Sequence, residues 1–352
     1  PLLREALTAP SLRDGEAGSE CAPIQAFGHL QPTNLAEEAK KQTRQLDAHI
    51  TSSDRYQDFL RFVELKDLQP RTRQTYLNWV RQLARHCDPR LPKDLGESEV
   101  LDFLISLRTE RELKDSTVNQ AVCALRCFFR DHHERDWQGW KKIRIRREEP
   151  LPNILSQGQV AKLLGAVEQP RFRAIFAVMY HCGLRLSEAT HLKPGHIDGA
   201  RRVLRVIKGK GGKDREVPVT DALLEFLREF WKTHRNREWL FPGVGRRWKT
   251  SQFTKAQAMG RCAKPMSNAS VQNAMRMTVV SLGWRKGGGK RAITCHTLRH
   301  CYATHLLDAG ASIRLVSQYL GHRSLKPTLV YLHLTEVNES RAREILGTFP
   351  GI

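Results

Sequence analysis

At 352 residues, with 40% hydrophobic and 27% charged residues, the chain is too long for one ordinary core and fits a globular protein of two domains. Its 58 Lys and Arg against 37 Asp and Glu leave a net charge of +21, which argues against a compact neutral enzyme and for a polyanionic partner such as nucleic acid. No run of 18 apolar residues occurs and the N-terminus lacks a signal-peptide core, so neither a spanning helix nor secretion is expected.

Residues 1–54 are mixed, with Pro, Gly and Ser early and a polar helical stretch near 35–46; they carry no motif, and their role is left open as a tail or an arm. The chain begins with Pro1, and an initiator methionine or a longer segment is expected before it. Residues 55–132 read as helical throughout. Tyr56, Phe59, Leu60, Phe62 and Val63 form one apolar stripe; Pro70 punctuates; Tyr76, Val80, Leu83 and Ala84 form the next. A third helix starts near Ser98 with Val100, Leu101, Leu104, Ile105 and Leu107, and a fourth at Ser116, read as its N-cap, with Val118, Val122, Leu125, Phe128 and Phe129. The polar faces of this small all-α domain carry Arg71, Arg73, Arg81, Arg85, Lys114, Arg126 and Arg130.

Residues 133–153 read as an extended basic linker, with Lys141, Lys142, Arg144, Arg146 and Arg147 ahead of Pro150 and Pro152. Such a strap follows phosphates and lets two lobes close on a duplex. The second domain, 154–352, opens with a capping box at Ser156 and Gln159. Helices follow to Leu164 and over 174–181. A β-hairpin is expected from Val203–Ile207 and Arg215–Val219 around a Gly-Lys-Gly-Gly-Lys turn. Further helices are placed at 222–232, 271–282, 298–309, 313–320 and 325–334, and the Gly-, Lys- and Arg-rich stretch 241–290 is an insert of open role. The fold class is therefore mainly α with a small β-sheet. The eight cysteines are scattered without Cys-x-x-Cys or zinc-finger spacing, Cys123 and Cys127 one turn apart on an apolar face, so free thiols in a reducing cytoplasm are expected.

Four short segments concentrate chemistry. They read Cys182-Gly183-Leu184-Arg185-Leu186-Ser187-Glu188, Lys208-Gly209-Lys210-Gly211-Gly212-Lys213, His296-Thr297-Leu298-Arg299-His300, and Leu320-Gly321-His322 followed by Tyr331. Two guanidiniums, a lysine, two imidazoles and a phenol can break and rejoin a phosphodiester without water or metal. The guanidiniums suit the charge that builds on non-bridging oxygens, since a planar fork donates paired hydrogen bonds and stays protonated. A phenol can attack phosphorus and hold it covalently, splitting one transfer into two. The glycine-rich turn lacks the P-loop form and opens no helix. His296, His300 and His305 lie on one helix, but their spacing does not align three ligands and no carboxylate cluster lies near, so no metal and no cofactor are expected.

In order and spacing these segments resemble the tyrosine recombinases, the family of phage integrases, Xer-type resolvases and integron integrases, over roughly residues 55–345. The resemblance implies that the first helices form a SAM-like core-binding domain laid over DNA, and that the second domain is a mixed α/β catalytic domain. It implies Tyr331 as nucleophile, Arg185 and Arg299 on the phosphate and Lys210 as the acid that protonates the leaving 5′ oxygen. His322 would bond the scissile phosphate, His296 would orient Tyr331 and take its proton, and Glu188 would buttress the site. His300, His305 and His333 are read as background. Cys301 and Leu332 depart from the residues usual after the Arg-His pair and after the tyrosine, and neither removes a catalytic group. The function implied is site-specific DNA recombination through a 3′-phosphotyrosine and a Holliday junction, by four protomers on two duplexes. The element would be mobile, integron- or transposon-borne, and the setting the bacterial cytoplasm at the nucleoid. The rivals are a type IB topoisomerase acting as a monomer and a catalytically silent DNA-binding protein.

Overall fold

The computed structural model describes residues 54–66, 68–88, 92–143, 151–207, 214–245, 252–284 and 292–332, with positions 48, 90 and 248. The chain forms two compact units divided between residues 148 and 149, each built around its own core.

The first unit is all-helical among its described residues. Helix α1 (Asp54–Leu65) is followed by α2 (Pro70–His86), whose proline occupies the first turn, where no backbone N–H is needed. Helix α3 (Glu97–Thr109) is capped by Glu99, whose carboxylate accepts the Gly96 N–H at 3.0 Å. Helix α4 (Asp115–Arg126) runs on as a π-helical turn, Cys127–His132. Its N-cap is Lys114 rather than Ser116, which lies inside the first turn: the helix starts at Asp115, whose charge suits the positive helix end. Phe59, Leu83, Leu95, Phe103, Leu107, Leu125 and Phe129 are the large fully buried side chains of this core.

The expected linker from 133 onward begins with packed residues instead. A short helix α5 (Gly139–Lys142) puts Trp140, 5% exposed, into the first core, with Trp137 stacked on it at 5.6 Å. The Gly139 N–H donates to Glu97 at 2.6 Å. Two indoles in a four-residue turn leave no periodicity to read, which is why the segment looks like linker in sequence. The side chains of Lys141 and Lys142, and residues 144–150 with Arg144, Arg146 and Arg147, lie outside the described residues.

The second unit opens at Ser156 with the expected reciprocal cap: the Ser156 hydroxyl accepts the Gln159 N–H at 3.2 Å and the Gln159 side chain accepts the Ser156 N–H at 2.9 Å. Helices α6 (Gln157–Gly165), α7 (Pro170–His181) and α8 (Leu186–Thr190) lead into an antiparallel sheet ordered β1 (Ile197–Asp198), β2 (Val203–Val206), β3 (Arg215–Pro218). Leu204 pairs with Ile197 and with Val217, and Leu204, Val206 and Val217 face the core. The two-residue β1 is too short to leave a signal in sequence. The hairpin turn 208–213, with Lys210, lies outside the described residues. Helix α9 (Asp221–Lys232) follows, then α10 (Lys255–Arg261), absent from the expected elements although Thr254 and Gln257 form a capping box at its start. Asn236, 3% exposed, ties this stretch to the end of α9: its amide donates to the carbonyls of Met259, Gly260 and Cys262. Helices α11 (Asn268–Ser281), α12 (Cys295–Asp308), α13 (Ile313–Leu320) and α14 (Lys326–Leu332) complete the described part. Helix α12 packs on α7, α13 and α14, so the termini of α7, α12 and α13 converge.

Candidate active site

Two glycines shape this convergence. Gly183, just past α7, has φ +58°, and a Cβ there would stand 2.4 Å from the Tyr302 ring. Gly321 ends α13 with φ +64°, and a Cβ there would meet Arg215 at 2.9 Å. Both are left-handed positions where only glycine sits without strain and where backbone approaches a site side chain. The first turns the chain so that Arg185 precedes α8; the second delivers His322.

Glu188 is the hub. Its side chain is 7% exposed and is ringed by three guanidiniums. Arg185 donates at 2.8 Å through a terminal nitrogen and at 2.8 Å through its own backbone N–H. Arg215 forks onto both carboxylate oxygens at 3.0 and 2.7 Å, and its Nε donates to the Tyr319 carbonyl at 2.7 Å. Arg299 approaches to 3.8 Å. Burial raises the Glu188 pKa, but the bonds and charge of Arg215 and Arg185 outweigh it and hold the carboxyl near 2. In sequence Arg215 reads only as the start of a strand; in the structure its side chain is 6% exposed and packed against the hub.

Arg299, in the first turns of α12, is 2% exposed. Nη1 donates to the Gly183 carbonyl at 2.7 Å and Nη2 to the Leu320 carbonyl at 2.6 Å, so the guanidinium staples the ends of α7 and α13 together. Burial, then Arg185 and Arg215, push its pKa down to about 9 against the pull of Glu188, and it stays cationic at neutral pH. Its Nη2 also lies 3.3 Å from His322 Nε2. A guanidinium can only donate, so Nε2 accepts and the ring proton sits on Nδ1, 2.7 Å from Thr328 Oγ1. Burial, with Arg299, Arg185 and Arg215, depresses the His322 pKa to about 4, consistent with that neutral ring.

Tyr331, on α14, is 3% exposed. The imidazole hydrogen-bonded to its hydroxyl is His300, at 2.9 Å, where His296 was expected. His296 and His300 lie one turn apart on the same face of α12, and α14 crosses at the second turn. His296 is exposed, its ring 5.3 Å from that of His300 and edge-on to it. Burial raises the Tyr331 pKa, and Arg299 and Arg185 pull it back. His305 joins neither group: it bonds the Tyr180 hydroxyl at 2.9 Å and the Leu155 carbonyl at 3.0 Å. Among the described residues no three side chains form a metal-ligating group. Cys301 is buried beneath the site, with its sulfur accepting the Leu155 N–H at 3.2 Å. A small polar side chain there is what that amide requires.

Residues 153–337 match the Phage integrase family and residues 56–139 match the N-terminal SAM-like domain of phage integrases. A Sinorhizobium fredii protein, y4qK, is 36% identical over 273 residues, 77% of this chain and 82% of its own. An integrase/recombinase of Escherichia coli is 30% identical over 308 residues, 80% of this chain and 89% of its own. In fold, the chain is similar to XerH site-specific recombinase bound to palindromic difH substrate (TM-score 0.58, 20% identity, 78% of this chain and 79% of that one). It is also similar to a lambda integrase tetramer bound to a Holliday junction (TM-score 0.60, 16% identity, 86% of this chain and 88% of that one). The chain belongs to the phage integrase family, the tyrosine recombinases.

Proposed function

We propose that this protein recombines DNA at specific sites by cutting one strand per protomer with Tyr331, exchanging strands and rejoining them. The observation that carries the reading is the convergence of Arg185, Arg299 and His322 with the buried Tyr331 at the ends of α7, α12 and α13.

The chemistry follows from these groups. The scissile phosphate brings negative charge to a place where the counter-charge is already fixed by Glu188 and by backbone carbonyls, so little reorganisation is needed. Tyr331 Oη attacks, the P–O5′ bond breaks, and the 5′ oxygen takes a proton from Lys210. The bond energy stays in the 3′-phosphotyrosine, so a 5′ hydroxyl from the other duplex reverses the step without ATP or metal. His322 accepts from Arg299 in this arrangement, and donates to the phosphate once it is protonated beside that anion. Two such exchanges pass through a Holliday junction, and four protomers on two duplexes supply the four tyrosines; the lambda integrase tetramer bound to a Holliday junction supports that assembly. The two units serve as core-binding and catalytic domains joined by the basic segment, and the setting is the bacterial nucleoid.

Incubation with a nicked suicide duplex in EDTA tests this. Wild-type protein forms a denaturant-resistant adduct; Tyr331→Phe binds DNA and forms none. An adduct of undiminished yield in that variant overturns the assignment. Paired sites separate the rivals: relaxation of a plasmid with no site, by single protomers, points to a topoisomerase, and binding without any adduct to a silent DNA-binding protein.

A further inference from the structure

The proton of Tyr331 needs a destination, and the geometry offers one that the motif does not name. The phenol is buried, so water does not reach it freely, and its one hydrogen-bond partner among the described residues is His300 Nδ1 at 2.9 Å. We propose that His300 receives the Tyr331 proton as the strand is cut and returns it as the strand is rejoined, an inference that rests on Tyr331 being the nucleophile.

With the ring proton on Nε2, Nδ1 accepts the phenol hydrogen and leaves a lone pair of Oη free for phosphorus. As the O–P bond forms, the O–H bond breaks toward Nδ1. The P–O5′ pair leaves with the 5′ oxygen, which Lys210 protonates, and His300 becomes an imidazolium. Rejoining runs the transfers backward: the 5′ hydroxyl attacks, its proton returns to Lys210, and the leaving tyrosyl oxygen recovers its own from His300. Charge is balanced at each stage.

The surroundings suit an acceptor. Facing His300 are His296 from its own helix, Tyr331 from α14, and the guanidinium of Arg299, with Arg185, just before α8, acting on the phenol. From α7, Tyr180 is engaged by His305, one turn further along α12. Burial, then His296 and Arg299, hold the imidazole near 4, so it is neutral and ready to accept at neutral pH. A phenolate forming at 2.9 Å adds the opposite influence and raises its proton affinity at the moment of transfer. His296 is exposed at the start of α12.

The test compares full-length wild type, His300→Ala, His300→Asn and His296→Ala in single-turnover cleavage of the suicide duplex from pH 6 to 9. Asn keeps an acceptor near Nδ1 but has no basicity. Both His300 variants are expected to cleave about 10²–10⁴-fold more slowly at pH 7. They should gain about tenfold per pH unit, because the phenol must then ionise to solvent. Wild type should stay level, and rejoining from a preformed adduct should slow alongside cleavage. Wild-type rates in His300→Asn would reduce the residue to positioning and overturn the proposal, as would a pH slope that appears in His296→Ala alone. Absence of any adduct in wild type would instead fell the reading of Tyr331. A measurement on unaltered His300 keeps the proposal exposed if its variants misfold. Tyr331→Phe should shift the His300 imidazole nitrogen resonances, and unshifted resonances would show that no hydrogen bond exists to carry the proton.

Discussion

The two units differ in one cluster of charge. In the helical unit cations stay at the surface: Arg61 meets Asp58 with side chains 77% and 56% exposed, and Arg108 meets Asp115 at 57% and 32%. In the catalytic unit pairs such as Arg202 with Asp221, 63% and 69% exposed, do the same, but one cluster goes inside, with Arg215 and Arg299 at 6% and 3% beside Glu188 at 7%. Exposed pairs are screened by water and contribute ~0–1 kcal/mol. A buried cluster contributes little net stability either, because desolvation offsets attraction, but it cannot lose one member cheaply. The catalytic unit accepts that fragility in exchange for cations whose positions are set before substrate arrives.

The strongest way to break this contrast is Glu188→Gln. It leaves Arg185, Arg215 and Arg299 facing one another without a counter-ion, and a loss of about 3–5 kcal/mol is expected in the denaturant-induced unfolding of the catalytic unit. Asp58→Asn, which removes the partner of a surface arginine, should cost less than about 1 kcal/mol in the helical unit. Equal costs would erase the distinction between the two kinds of charge.

Acid tests the same hub. The Glu188 carboxyl titrates near 4.5 when unfolded and about 2 when folded, so its stabilising contribution is complete above 4.5 and disappears as pH falls toward 2. A difference of that size corresponds to about 3 kcal/mol. His300 and His322 act earlier in the descent. Their folded pKa values near 4 lie below the unfolded 6.5, so the unfolded chain binds protons first and stability declines as pH drops from 6.5 to 4. Denaturant midpoints across pH 7 to 3 should therefore decline for the catalytic unit from 6.5 downward, and in Glu188→Gln the part of the decline below 4.5 should shrink. An unchanged slope below 4.5 in that variant would mean that Glu188 does not set the acid limit.

How much of this could be read in the chain depends on whether a residue's role is local. Arg185, Glu188, Arg299, His322 and Tyr331 stand in short fixed spacings next to helix ends, and the structure draws them together within one cluster of elements. Arg215 is different. In Arg215-Glu216-Val217-Pro218 it reads as one more polar residue of an alternating strand. Its burial depends on Glu188, 27 positions back, and on Tyr319, 104 positions ahead. His300 was visible beside Arg299, but its bond to Tyr331 depends on which turn of α12 the last helix crosses, and spacing does not encode a crossing. Trp140 was hidden for the same reason: its burial belongs to a core formed by residues 11 to 81 positions earlier. Residues 1–47 and Lys210 lie outside the described residues, so the acid role of Lys210 is a proposal from sequence alone.

A milder perturbation sharpens the geometric side of the hub. Gly183→Ala places a Cβ at φ +58° and 2.4 Å from the Tyr302 ring, so strain and overpacking add to about 2–3 kcal/mol. Because Arg299 bonds the Gly183 carbonyl, adduct formation should fall more than DNA binding does. A variant as active and as stable as wild type would show that the turn tolerates rearrangement and that the staple at Arg299 is dispensable.

The smallest effect is expected from the basic run of sequence that joins the two units. Lys141, Lys142, Arg144, Arg146 and Arg147 follow the packed Trp140 and precede the catalytic unit. If they strap the chain to phosphates, each contact adds roughly 0.9 to the slope of log K against log salt. Changing Arg144, Arg146 and Arg147 to Gln leaves the α5 turn alone and should lower that slope by about 2–3. Specific and random duplexes should weaken alike, since phosphates carry no sequence. The rate of adduct formation within a saturated complex should barely change, in contrast to Glu188→Gln or Gly183→Ala, because phosphate contacts of this kind add affinity and no reacting group. An unchanged salt slope would mark the segment as solvated charge and place the affinity of the protein on the helix faces of the first unit. A slope that falls for the specific duplex alone would give the segment a part in reading sequence, which a phosphate strap cannot have.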